Sequence, residues 1–152
     1  MYDKFHAYLG ELESGFKKLS ALLHEKLRAV EKFNLEKLDG IMKEEQAYVL
    51  LSRSFDKNIK DYKERLGLEG EKLSDIVEEL PEAERARFRE AYRTLKAALD
   101  EVKALNEKCQ GLIEERLHRL DKAIKEFDRS AGTPYGDIKK PSDSPTLMNR
   151  QI

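Results

Sequence analysis

The longest regular pattern of apolar residues runs from Pro81 to Arg129 and predicts one uninterrupted helix. Its apolar positions recur in steps of three and four residues, a mean spacing close to the heptad repeat. Pro81 suits a first helical position, and Gly132 and Pro134 are expected to end the helix. At about 1.5 Å per residue this helix is roughly 70 Å long, so its packing partners must be long helices too. The stripe consists of Phe88, Tyr92, Leu95, Leu99, Val102, Asn106, Cys109, Ile113, Leu117, Leu120, Ile124 and Phe127.

Two similar stripes predict two helices before this one. The first covers residues 2 to 33, and the second runs from about Leu35 to Leu66, with Asn34 as its N-cap and Gly67 as a left-handed C-terminal residue. Glu45 occupies an apolar position of the second stripe, which indicates either a change of register or a locally hydrated seam. Helical register also assigns the aromatic residues of the stripes to the core: Phe16, Phe33, Tyr48, Phe55, Tyr62, Phe88 and Tyr92.

The connection between Gly67 and Pro81 contains a short amphipathic turn from Leu73 to Leu80, with Ser74 as its expected cap. We interpret this turn as a lid over one end of the helices. The predicted fold is therefore all-α: an elongated antiparallel three-helix coiled-coil bundle over residues 1–130.

The composition changes abruptly after Ser130, where three of the four prolines occur and no helical stripe remains. Residues 131–152 are predicted to form a flexible C-terminal tail, disordered or extended. This tail carries apolar residues that it cannot bury by itself, which suggests burial against another molecule. They are Tyr135, Ile138, Leu147, Met148 and Ile152.

Charge and cysteine content exclude several classes of partner and compartment. Charged residues make up 39% of the chain, and the 29 Lys and Arg nearly balance the 30 Asp and Glu, with both signs interleaved. That balance argues against binding to nucleic acid or to an anionic membrane, both of which require a basic face. The single cysteine excludes an intrachain disulfide. With neither a signal-like start nor a membrane-length apolar segment, we expect a cytoplasmic protein without an integral membrane segment.

Candidate catalytic groups are few. Glu115 and His118 match the Glu-x-x-His spacing of di-iron bundles, but such a centre needs two of these motifs and two further glutamates. The simpler interpretation is that Glu115 and His118 are two exposed residues on the surface of one helix. Cys109 lies on the apolar stripe and is expected to be a buried, inert thiol. The chain also lacks a glycine-rich phosphate loop and a Gly-x-Ser-x-Gly elbow, so we predict no enzyme activity, cofactor or metal.

The order and lengths of these segments, together with the tail, resemble the FlgN family of flagellar export chaperones. The long helix carries Asn106-Glu-Lys-Cys-Gln-Gly-Leu112-Ile113, which is similar to the asparagine, asparagine-glycine and leucine pattern of the family. Cys109 and Gln110 stand where the family usually has its second asparagine. Further similar segments are Lys43-Glu-Glu-Gln-Ala47 followed by Leu50 and Leu51, Leu66-Gly67, Pro81-Glu82, and Tyr135-Gly136 with the distal Leu147.

The resemblance implies a cytoplasmic chaperone of the hook-filament junction (hook-associated) proteins FlgK and FlgL. Such a chaperone prevents premature assembly of its substrates and delivers them to the flagellar type III export gate. In the family the C-terminal region binds substrate, and a tail tyrosine is associated with docking at the gate. Tyr135 is the matching position in this chain.

We place the substrate-binding surface on the distal half of the long helix, because the first helix is shorter and need not cover it all. The boundary is expected near Asn106, with Phe88 to Leu105 committed to internal packing. Two alternatives remain open. One is a structural coiled-coil protein that self-associates as a homodimer, and the other is a chaperone for another type III cargo. The predicted substrate-binding residues are Leu112, Ile113, Leu117, Leu120, Ile124, Phe127, Leu147 and Met148.

Overall fold

A computed structural model describes residues 1–131, and these form an all-helical fold, as predicted. The helices are α1 (Tyr2–Glu31), α2 (Leu35–Leu66), α3 (Leu73–Glu79) and α4 (Glu82–Ala131). The 50 residues of α4 extend over about 75 Å at the usual helical rise. The predicted tail, residues 131–152, lies almost wholly outside the described part of the chain.

Local chemistry explains both ends of α2. The Asn34 side chain accepts a hydrogen bond from the backbone N–H of Lys37 at 3.1 Å, which confirms the predicted N-cap. At the other end Gly67 has φ 67°, the left-handed conformation that was expected there. Its N–H and that of Leu68 donate to carbonyls in the last turn of the helix. The bounds of α2 therefore agree with the prediction.

The predicted cap of α3 is wrong. The helix begins at Leu73, so Ser74 lies inside it, and the Asp75 carboxylate instead accepts from the backbone N–H of Lys72 at 3.4 Å. This start places Leu73, Ile76 and Val77 together in the buried face of the helix. The helix therefore begins at a buried leucine, one residue before the serine that was expected to cap it.

The chain reverses direction between α1 and α2. Tyr8, near the start of α1, accepts a hydrogen bond from Asn58, near the end of α2, at 3.1 Å. Lys26, near the end of α1, pairs with Glu45 in the first half of α2. The two helices are therefore antiparallel.

α4 runs in the same direction as α1. Its start is joined to the start of α1 by the Asp3–Arg87 ion pair at 2.9 Å. Further along, the Cys109 thiol donates to the carbonyl of Leu23 at 3.5 Å. α3, in the connection between α2 and α4, packs against α4.

One apolar core takes side chains from all four helices. At the end where α4 begins, the Phe5 ring lies between Tyr62 and Phe88, with ring centroids 4.8 and 5.2 Å away. Phe16, Phe55 and Phe88 are fully buried, as predicted. Tyr48, Tyr62 and Tyr92 are partly buried and pack against the core. In residues 1–131, no helix is both long and apolar enough to cross a membrane.

Phe33 does not belong to the core, contrary to the prediction. α1 ends at Glu31, and Phe33 lies in the turn before Asn34 with φ 53° and 61% of its surface exposed. The chain must reverse between two antiparallel helices here, and the cap at Asn34 leaves Phe33 no place in either helix. Met42, another stripe residue, is also exposed.

Candidate interaction surface on the distal part of α4

The core along α4 ends at Cys109. Before that point Leu95, Leu99 and Val102 are completely buried. After it, no residue of α4 up to Ser130 is buried. The predicted boundary near Asn106 therefore lies within one helical turn of the last buried residue.

The end of the covering helices explains this boundary. The guanidinium carbon of Arg116 lies 4.9 Å from the centre of the Phe33 ring, so α4 passes the α1–α2 turn near Arg116. From there α4 continues to Ala131. Neither α1 nor α2 continues beyond this turn.

Five of the six predicted binding residues of α4 share one open face and Leu112 lies at one edge of it; we call the six together the distal face. Leu120 and Phe127 are 51% and 64% exposed, and the other four are partly exposed. From Ile113 to Phe127 their steps of four and three residues continue the heptad spacing of the buried stripe. The distal face consists of Leu112, Ile113, Leu117, Leu120, Ile124 and Phe127.

Ion pairs on the same segment keep its other sides hydrated. Glu115 pairs with Arg119 at 2.7 Å, and Asp121 pairs with Lys125 at 3.1 Å. Pairs of this kind, four residues apart on a helix surface, contribute only about 0.2–0.5 kcal/mol each. They mark solvated faces, and the distal face is the apolar surface between them.

A polar layer lies where the core ends. Lys26 Nζ is 3.0 Å from Glu45 Oε1, and both side chains are buried. Glu45 and Asn106 line a cavity of about 20 Å³ beside this pair. Glu45 therefore belongs to a buried ion pair, which neither explanation offered for it, a register change or a hydrated seam, had included.

Cys109 lies beside the same polar layer. Its thiol is buried, as predicted, and burial raises the pKa of the thiol above its ordinary value. The nearby Lys26 lowers that pKa by a smaller amount, and Glu45 raises it. The thiolate that would act as a nucleophile is therefore disfavoured at this position.

The remaining predicted sites have different outcomes. Glu115 and His118 are exposed, and within residues 1–131 no three potential metal-binding side chains lie together. Tyr135, Leu147 and Met148 lie outside the described residues, so their assigned roles stay predictions.

Sequence reasoning missed an apolar surface at the α1–α2 turn. Phe33 and Leu35 flank the cap residue Asn34, and Leu35 is 72% exposed. The signal was present in the sequence, because a residue just before an N-cap lies outside the following helix. Stripe spacing alone assigned Phe33 to the core.

A comparison with protein-family models matches residues 1–142 to the family described as FlgN protein. No curated protein and no solved structure matches the chain.

Proposed function

The chain belongs to the FlgN family, and we propose that it is the cytoplasmic export chaperone for the hook-filament junction proteins FlgK and FlgL. Family membership makes it a flagellar export chaperone. The proposal adds the identity of the cargo, the prevention of its premature assembly, and its delivery to the flagellar type III export gate.

The open distal face of α4 supports this proposal most directly. Junction proteins assemble through long terminal helices whose apolar stripes have no partner before assembly, and such stripes promote aggregation. A heptad stripe on the chaperone offers these helices a temporary partner. The distal face would bind the cargo helix by this packing.

The exposed apolar area of the face determines how much it can contribute to binding. Fully burying a leucine or phenylalanine side chain contributes about 1.5–3 kcal/mol relative to leaving it exposed. Because Leu120 and Phe127 are 51% and 64% exposed, covering them would contribute about 2–3.5 kcal/mol together, and the four partly exposed residues would add to this. Micromolar binding requires a net value of about 8 kcal/mol after ordering costs, so contacts beyond the distal face must supply the remainder.

The decisive experiment compares an exposed pair with a buried pair on the same helix. A Leu120→Ala/Ile124→Ala variant should keep its unfolding midpoint and bind a peptide of the FlgK C-terminal helix at least about tenfold more weakly. A Leu95→Ala/Leu99→Ala variant should lose stability, because each truncation in a packed core costs about 2–5 kcal/mol. Calorimetric titration measures the binding, and thermal unfolding followed by circular dichroism measures the stability.

Leu50→Ala is the matched control, since Leu50 is 64% exposed on α2, away from the distal face. It should change neither quantity. If the Leu120→Ala/Ile124→Ala variant binds as tightly as the parent, the distal face does not bind the cargo. If it chiefly unfolds, the distal segment is ordinary core.

The tail has two proposed roles, which separate experiments distinguish. Leu147 and Met148 would add to cargo binding, so truncation after Ser130 should weaken peptide binding, and unchanged affinity would remove the tail from substrate capture. Tyr135 would dock at the export gate. Tyr135→Ala should therefore reduce export of the junction proteins in cells and leave peptide binding in solution unchanged.

Self-association is the second candidate, because the same open heptad stripe could pair with a second copy of the chain. Sedimentation velocity tests it directly. A tight dimer that binds no junction-protein peptide would replace the chaperone proposal for FlgK and FlgL. A monomer that binds another flagellar cargo in their place would change the substrate and keep the mechanism.

A further inference from the structure

Phe33 combines an unfavourable backbone conformation with an exposed aromatic ring. Its φ of 53° lies in the left-handed region, which bulky residues rarely adopt and which asparagine or glycine adopts more readily. Its side chain is 61% exposed, so burial among the described residues does not offset the backbone cost. Such a residue weakens the fold locally without strengthening the core.

The position of Phe33 connects it with the distal face. Arg116, whose guanidinium carbon is 4.9 Å from the ring centre, lies between Ile113 and Leu117 along α4. Leu35, two residues after Phe33, is also exposed. The α1–α2 turn therefore presents the Phe33 ring beside the start of the distal face, and a second exposed apolar side chain follows two residues later in the chain.

We infer that Phe33 is an aromatic anchor for the cargo, so that the docking surface extends from α4 onto the α1–α2 turn. This inference rests on the proposed function. Exposed aromatic residues that become buried in a complex commonly carry a large share of its binding energy. The binding energy that Phe33 contributes to the complex would then offset the destabilisation that its strained backbone causes in the free protein.

The occupant that fits this surface is an amphipathic α-helix with basic residues along one flank. The heptad steps of the distal face match those of a partner helix. Glu114, Asp121 and Asp128 follow at seven-residue intervals, one position after Ile113, Leu120 and Phe127, so they form one acidic edge of the face. Asp121 also pairs with Lys125 within α4.

The acidic edge argues for a cargo helix over an antiparallel second copy. In an antiparallel pair of identical helices, the same flanking positions of the two chains meet. The acidic edge of one chain would then face that of the other, whereas lysine or arginine on a cargo helix would complement it.

A Phe33→Asn substitution separates binding from structure. The unfolding midpoint should stay the same or rise, because asparagine accepts a positive φ more readily than phenylalanine. The affinity for the FlgK C-terminal peptide should fall about tenfold, as expected for loss of an aromatic anchor. Leu50→Asn is the matched control and should leave the affinity unchanged. A peptide whose flanking lysines and arginines are replaced by glutamate should bind the parent chain more weakly.

The possible results distinguish this inference from the proposed function. If Leu120→Ala/Ile124→Ala loses binding and Phe33→Asn retains it, the anchor role is refuted and the proposed function stands. If the parent chain binds no junction-protein peptide, both fail. A lower unfolding midpoint of Phe33→Asn would show a structural role and overturn the inference. The inference would also be overturned if the parent chain forms a dimer in sedimentation, Phe33→Asn dissociates that dimer, and the peptide affinity is unchanged.

Discussion

The buried Lys26–Glu45 pair should make Glu45→Ala one of the most destabilising substitutions in this chain. Lys26 Nζ lies 3.0 Å from one Glu45 carboxylate oxygen and 3.2 Å from the other, and the two side chains are only 7% and 6% exposed. Removing the carboxylate leaves a buried ammonium group without its counter-charge, which costs about 3–5 kcal/mol. For a chain of this length that corresponds to a fall of roughly 6–20 °C in the unfolding midpoint.

The cavity beside the ion pair affects how much stability Glu45→Ala loses within the range of about 3–5 kcal/mol. Its volume of about 20 Å³ is enough for one water molecule, and Asn106 supplies a polar lining group. Water that enters there could solvate the ammonium group of Lys26 after the carboxylate is removed. We therefore expect the lower half of the range for Glu45→Ala.

Urea unfolding followed by circular dichroism measures the effect, and two further variants interpret it. Asp39→Ala removes an exposed carboxylate that pairs with Lys43 at the same 3.0 Å distance, and it should cost about 0–1 kcal/mol. The double variant Lys26→Met/Glu45→Leu removes both charges and should be close to the parent in stability or exceed it. If Glu45→Ala costs no more than Asp39→Ala, the buried pair is not desolvated in solution and the reasoning fails.

Three further predictions concern single positions, each with its own measurement. Gly70→Ala should lower the unfolding midpoint, because a Cβ there would lie 2.8 Å from the backbone nitrogen of Ile76. Gly10→Ala is the control: a Cβ there meets nothing within 4 Å, so the substitution should raise the free energy of unfolding by about 0.5–1 kcal/mol. Equal unfolding midpoints of the two variants would contradict this. Cys109 should react slowly with a thiol reagent in the native protein and rapidly in urea, since the thiol is buried and burial raises its pKa; a fast native reaction would refute this. Hydrogen bonds from Lys17 and, less strongly, from Thr94 hold the pKa of Glu13 below its usual value. The ionised Glu13 carboxylate therefore stabilises the folded protein above the unfolded-state pKa, and this contribution is lost as the pH falls through the folded-state pKa. Glu13→Gln should thus reduce the loss of stability on acidification, and an unchanged pH profile of the unfolding midpoint would argue against this role.

Local chemistry made the ends of α2 predictable from sequence. Asn34 and Gly67 act through hydrogen bonds and backbone conformations within a few residues, so their roles can be inferred without knowledge of the fold. Glu45 could not be assigned in this way, and for Phe33 the Asn34 cap indicates only that the residue lies outside α2. The environment of Phe33 depends on the reversal of the chain, and that of Glu45 depends on Lys26, 19 residues earlier on another helix.

The candidate surface was predictable in position and not in extent. Leu99 and Leu120 occupy equivalent stripe positions, yet one is completely buried and the other is 51% exposed. Nothing in the spacing distinguishes them, because the stripe continues without interruption. The difference arises from the unequal lengths of α1 and α4, which the helix ends indicated. That Phe33 lies beside the start of the distal face is visible only once α1, α2 and α4 are placed together.

The Lys26–Glu45 pair also bears on the register of α1 and α2. An apolar heptad interface can slide by one turn at little cost, because each new pairing resembles the old one. Sliding α2 along α1 by one turn, about 5.4 Å, would separate these two charges and leave both buried without a partner. The pair therefore favours the observed register of α1 and α2, while the Asp3–Arg87 ion pair and the Cys109–Leu23 hydrogen bond position α1, and with it the α1–α2 turn, along α4. Phe33 lies beside the start of the distal face because these α1–α4 contacts bring the end of α1 close to Arg116, so the packing of α1 on α4 determines how much of the apolar stripe stays open.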